Sequence, residues 1–139
     1  MRVIGVYLLG AFFMAREFVA SALEINTSPS LIVNISSVTS CGNPGQSNYS
    51  ASKAGLDAQT RTWALELAPH GFRVAGIAPG LTHTPMLAHV SESARAEMID
   101  KIPLGRMGKP EEIWQAMRFI IECDYFTGST IEVNGGARF

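Results

Sequence analysis

Two cysteines in 139 residues, Cys41 and Cys123, lie far apart and form no Cys-x-x-Cys pair, which excludes a disulfide-stapled scaffold and a thiolate metal site. Three histidines, His70, His83 and His89, have no companions at metal-ligand spacing. Acidic and basic side chains nearly balance, 12 against 11, so the basic footprint of a nucleic-acid binder is missing. Reduced thiols on a near-neutral chain point to the cytoplasm. The 47% apolar content suits one modest globular domain with its own core.

A membrane-length apolar run is missing as well. Val3 to Ala15 is thirteen residues without a charge behind Met1-Arg2, and with Ala20-Ser21-Ala22 further on it imitates a signal peptide. Arg16 and Glu17 interrupt the pattern, and the run is shorter than the roughly 20 residues of a membrane span. Residues 2–23 read instead as one helix, because Ile4, Leu8, Ala11, Ala15, Val19 and Ala22 recur at helical spacing. Tyr7, Phe13 and Met14 make it apolar on a second face, which predicts burial against both a sheet and a partner.

What the chain does have is a stretch from Ser36 to Gly55 that runs from a strand end through a Gly-Pro-rich turn into a helix. Tyr49 and Lys53 stand four apart on that helix, so they share a face and the ammonium can lie near the phenol. A free tyrosine has a pKa near 10, and a neighbouring cation favours its phenolate, as would a bound cationic cofactor. Such a tyrosine can give or take a proton near pH 7. Alone, Tyr-x-x-x-Lys arises by chance in roughly one chain of this size in four. Its context is more telling: Leu31-Ile32-Val33 reads as a buried strand whose carboxyl end delivers Ser36-Ser37 to the mouth where ligands bind in open α/β sheets.

This stretch resembles the active site of the short-chain dehydrogenases/reductases, most closely the 3-oxoacyl-(acyl-carrier-protein) reductases. In that family a serine at a strand end precedes Tyr-x-x-x-Lys by about a dozen residues. Ser37 is twelve residues before Tyr49 and Ser36 thirteen; Ser37 is taken as the counterpart because it is the second of the Ser-Ser pair. The resemblance implies Ser37, Tyr49 and Lys53 as catalytic residues, with the Tyr49 hydroxyl within a few ångströms of Ser37 Oγ. It continues through Pro79-Gly80-Leu81-Thr82-His83-Thr84, which matches the family's Pro-Gly-x-x-x-Thr. It thereby implies that Pro79, Gly80, Thr82 and Thr84 join Tyr49 and Lys53 in holding NAD or NADP. Further matches are Ile102 to Ile113, with Pro110 at a helix start, and Asn134-Gly135-Gly136 near the end.

Two departures are specific. Tyr7 stands where the family has the asparagine that helps hold a water of its proton relay, and no glycine-rich phosphate turn precedes any helix here. The resemblance therefore implies the C-terminal half of a doubly wound Rossmann-type parallel sheet, a single partial domain over 1–139, with about one mononucleotide-binding half of the family pattern missing. It predicts three parallel strands near 31–36, 72–78 and 130–133, in that spatial order. Helices near 47–69 and 110–123 connect them, Gly71 stops the first, and Ile113, Ala116, Met117, Ile120 and Ile121 form the buried face of the second. Residues 91–101, with Ala94, Met98 and Ile102 on one side and Met86, Leu87 and Ala88 before them, are by analogy with the family a mobile lid over a hydrophobic or acyl substrate, and a plain surface helix would show the same pattern.

The implied activity is an NAD(P)-dependent interconversion of a small-molecule carbonyl and hydroxyl by a homo-oligomer built through the helices near 2–23 and 47–69. The second reading is an inactive fragment that serves at most as an interaction module. On the sequence, residues 1–139 alone bind cofactor weakly, and their first strand is left as an apolar edge.

Overall fold

The computed structural model describes residues 2–85, 87 and 90–138. Met86, Ala88 and His89, which entered the sequence reading of the lid and of metal ligands, lie outside the described residues. The chain opens with one continuous helical rod: α1 (Arg2–Ile4), a π turn (Gly5–Leu9) and α2 (Gly10–Glu24). There follow β1 (Ser30–Ile35), α3 (Ser47–Leu67), β2 (Phe72–Pro79), α4 (Glu92–Asp100), α5 (Pro110–Glu122) and β3 (Thr130–Val133).

The three strands form one parallel sheet in the order β1-β2-β3, as the sequence predicts. Alternation along β2 sends its side chains to two separate cores. Ala75 and Ile77 pack with Ala116 and Ile120 of α5, while Val74 packs with Trp63 and Ala64 of α3. Burial on both faces is why the strands read as continuous apolar runs. Helix α3 runs on into a 3₁₀ turn, Ala68–His70, which stops where Gly71 takes the left-handed conformation at φ 79°, ψ 18°, a geometry that costs glycine little.

The first rod buries the residues its spacing selects: Ala22 is buried, and Ile4, Leu8, Ala11, Ala15 and Val19 are partly so. Its other face, with Tyr7, Phe13 and Met14, is exposed. At 23 residues, Arg2–Glu24 is long and apolar enough to cross a membrane by length and composition alone. The uncharged run is shorter than the helix because the Arg16–Glu17 ion pair sits on its exposed side.

Two expected packing positions differ. Ile121 of α5 is exposed, since that helix buries a narrower stripe centred on Ala116 and Ile120. In α4 no residue is buried and Met98 is exposed, whereas Ile102 just beyond it is buried. The apolar side of that segment is thus anchored only at its end.

One polar residue inside β2 has no counterpart in the sequence reading. The Arg73 guanidinium donates from Nη1 to the carbonyls of Ile120, Cys123 and Phe126, at 2.8, 3.2 and 3.2 Å, and from Nη2 to that of Ile121 at 3.2 Å. It thereby satisfies the carbonyl end of α5, which has no further helical turn to do so. Replacing Arg73 with Met keeps the aliphatic stem and removes every donor. The expected loss is about 1.5 to 3 kcal/mol, measured as a fall in the urea midpoint at unchanged m.

Candidate active site

Parallel strands put their carboxyl ends at one edge of the sheet, and both β1 and β2 deliver expected site residues there. At the end of β1, Ser36 and Ser37 are buried, and the ladder runs on through the Ser36 N–H, which donates to the Ile77 carbonyl at 2.7 Å. Ser36 Oγ donates to the Lys53 carbonyl at 3.3 Å. Ser37 caps a short 3₁₀ turn, Val38–Cys41: its Oγ accepts from the Thr39 N–H at 3.2 Å and lies 3.0 Å from Thr39 Oγ1. Among the described residues neither serine hydrogen-bonds the Tyr49 phenol, so the expected approach of Tyr49 to Ser37 is not made as a direct bond.

Helix α3 carries the other two. Lys53 is 6% exposed, and its Nζ donates to the Ile35 carbonyl at the end of β1, 2.6 Å away. Burial lowers the Lys53 pKa, with Asp57 one turn further along opposing that shift. Asp57 is itself fixed, accepting at Oδ1 from Thr130 Oγ1 of β3 at 3.1 Å. Nζ lies 5.7 Å from the centre of the Tyr49 ring and 4.9 Å from that of Tyr7, and the two rings meet edge to face with centres 5.4 Å apart. Tyr7 thus enters the site from the π turn. A cleft of about 440 Å³ runs beside this group, lined by Val6, Tyr7, Met14, Asn34, Ile35 and Lys53 among others.

Beyond β2, the segment from Pro79 to Thr84 is tied back to the chain rather than free. The Gly80 N–H donates to the Val133 carbonyl at 2.9 Å, and a Cβ on Gly80 would lie 2.7 Å from the Asn134 Cα. A side chain at Gly80 would therefore collide with the Asn134 backbone. Thr82 Oγ1 donates to the Gly80 carbonyl at 3.1 Å, while Thr84 is exposed. Lys53 has three N–H groups and uses one on Ile35, which leaves two for hydroxyls of a ligand. That donor set, with the Tyr49 phenol on the same helix, fits the nicotinamide-ribose end of a dinucleotide.

The family model described as "Enoyl-(Acyl carrier protein) reductase" matches residues 1–138. The chain belongs to the short-chain dehydrogenase/reductase family. It is 45% identical over 137 residues to a 3-oxoacyl-(acyl-carrier-protein) reductase of Thermotoga maritima, covering 96% of this chain and 55% of the relative. It is 40% identical over 138 residues to the human (3R)-3-hydroxyacyl-CoA dehydrogenase, covering 97% of this chain and 52% of the relative. Among solved structures, the 3-hydroxyacyl-CoA dehydrogenase type-2 of Mycobacterium avium superimposes with a TM-score of 0.91 at 33% identity, over 99% of this chain and 56% of the other. A 4-hydroxyisoleucine dehydrogenase complexed with NADH gives 0.83 at 30% identity, over 96% of this chain and 56% of the other. The chain spans about half the length of the curated relatives it matches.

Near the site, the family-like Arg106 to Glu112 stretch closes on itself. Arg106 grips both oxygens of Glu112, at 2.7 and 2.9 Å, and the Lys109 N–H donates to the same carboxylate at 2.7 Å. The guanidinium hydrogen bonds, then the backbone one, pull the Glu112 pKa down from 4.5 to about 2. A carboxylate depressed on folding stabilises above its unfolded value and loses that contribution as pH falls through the folded one. Glu112→Gln should therefore lower the melting temperature at neutral pH, with the gap to wild type closing between about pH 5 and about pH 2. Thermal melts of both proteins across that range measure it.

Proposed function

We propose that residues 1–139 carry the proton-transfer half of an NAD(P)-dependent oxidoreductase that interconverts a carbonyl and a hydroxyl. The observation that carries this reading is the buried Lys53 ammonium, seated on the strand end of β1 beside Tyr49. The Tyr49 O–H gives its proton to the carbonyl oxygen in reduction and takes it back in oxidation. Ser37 holds that oxygen, and the free N–H groups of Lys53 hold ribose hydroxyls. A bound nicotinamide supplies the hydride in reduction and accepts it in oxidation. Thr82 and Thr84, behind Pro79-Gly80 at the end of β2, would border the cofactor.

A small hydrophobic or acyl substrate, such as a 3-oxoacyl thioester, is favoured by relatives named for 3-oxoacyl and 3-hydroxyacyl chemistry. The free thiols Cys41 and Cys123 support a cytoplasmic setting. Assembly through α2 and α3 is supported by Met14 at 74% and Leu65 at 81% exposure. Leu65→Lys should then shift sedimentation equilibrium toward the monomer; an unchanged profile would remove α3 from the interface.

The second reading, an inactive fragment acting at most as an interaction module, is favoured by the apolar side chains exposed on α2 and α3. Pyrophosphate and adenosine contacts supply much of dinucleotide affinity, and each lost charge-assisted hydrogen bond removes about 1.5 to 3 kcal/mol. Every 1.4 kcal/mol is about tenfold in affinity, so the chain alone is expected to show no micromolar binding of NADH or NADPH. Fluorescence titration of both measures this, followed by a 3-oxoacyl ester assay at millimolar cofactor. Turnover abolished by Tyr49→Phe supports the oxidoreductase. A folded chain inert at every cofactor concentration supports the fragment, and micromolar binding with Tyr49-dependent turnover would show that this half suffices.

A further inference from the structure

Tyr7 is where the sequence departs from the family pattern at a site position, and the structure brings that residue to the Lys53 ammonium. We propose that Tyr7 is a positioning residue: the face of its aromatic ring holds the charged end of Lys53 beside Tyr49, in the place where the family pattern has an asparagine. The functional meaning of the inference rests on the oxidoreductase reading; its geometry does not.

Three observations carry it. Lys53 Nζ lies 4.9 Å from the Tyr7 ring centre, inside the roughly 6 Å reach of a cation–π interaction, and nearer than to the Tyr49 ring at 5.7 Å. The two rings stand at 88° to each other with centres 5.4 Å apart, so Tyr7 also sets the orientation of the Tyr49 ring. The backbone that presents Tyr7 is itself specified. Gly10 N–H donates to the Gly5 carbonyl across the wider π turn, and Gly55 of α3 leaves room for Leu8, whose Cδ1 would be 2.7 Å from a Cβ there. With Leu8 seated against α3, the adjacent Tyr7 is brought to the α3 residues that matter.

The groups that face Lys53 are Tyr7 from the π turn, the Ile35 carbonyl from β1, and Tyr49 and Asp57 from α3. Burial works against its charge, Asp57 works for it, and the negative face of an aromatic ring adds to the same side. An asparagine offers no such face. A leucine would fill space without it.

The chain has only three lysines, Lys53, Lys101 and Lys109, so the titration of each can be followed by NMR on protein labelled with ¹³C at lysine Cε. Lys101 and Lys109 are exposed and serve as internal controls. Tyr7→Leu should lower the Lys53 midpoint by about one pH unit, the size expected of a partly desolvated cation–π contact. Tyr7→Phe, which keeps the ring and loses the hydroxyl, should restore the wild-type midpoint, and the two controls should not move. Tyr7→Met stands in should the Leu variant fail to give a dispersed spectrum. An unshifted Lys53 in the Leu or Met variant overturns the proposal, as does an equal shift in Tyr7→Phe. If neither aliphatic variant folds, the ring is a packing group and the proposal falls. A ring-dependent Lys53 in a chain without turnover would leave this inference standing and sink the oxidoreductase reading.

Discussion

A buried ammonium has to be solvated by the protein itself, and Lys53 meets that need with the carbonyl that ends β1. The bond joins the helix that carries Tyr49 to the strand whose end leads into both serines. It fixes the distance between them more firmly than apolar packing could, because a shift of α3 along the sheet would leave the charge without its acceptor. The neighbouring contacts serve the same charge. Gly76 lets Thr130 lie close across the β2–β3 pair, Thr130 holds Asp57, and Asp57 opposes the desolvation of Lys53.

The sheet supplies the frame for this by being buried on both faces. Val74 and Trp63 make one core and Ala75, Ile77 and Ile120 the other, so neither α3 nor α5 can rotate without exposing apolar surface. Asn34 is a buried polar residue of β1: its amide donates to Thr60 Oγ1 at 2.9 Å, and Thr60 in turn donates to the Leu56 carbonyl at 2.8 Å. The strand before the serines is thereby pinned to α3 two residues ahead of Ser36. The candidate site rests on these fixed elements, which hold Lys53 and the end of β1 at a set distance.

Much of this is written in local patterns. The strands are legible because Leu31-Ile32-Val33 and Phe72 to Ala78 are apolar without alternation, and the α3 boundary because Gly71 has no side chain to oppose a left-handed backbone. The inward stripe of the first helix follows from its spacing alone. The family match confirms the ancestry those patterns suggest. What escaped are features decided by partners distant in sequence. Arg73 reads as an interruption in a strand until the end of α5 lies over it. Ser37 shows its hydroxyl engaged only once Thr39 turns back on it. Ile121 looks as apolar as Ile120, and only the curvature of the α5 contact says which of the two is inside. Tyr7 was legible as a substitution, but its place against Lys53 depends on a turn of the helix that no residue type announces.

That turn has a bearing on how the protein can change over evolutionary time. A π turn holds one more residue than the α-helical turn it replaces, so the rod up to Gly5 and the rod from Gly10 are in registers that an ordinary helix could not keep together. Winding Gly5–Leu9 as ordinary α-helix, with no residue removed, would rotate everything before it by about 100° relative to α2. Arg2, Val3 and Ile4 would then leave their present neighbours on α3. The wide turn accordingly absorbs one residue of length: a lineage that lost that residue would wind the helix regularly with its flanks nearly in place, and would change which side chain meets Lys53.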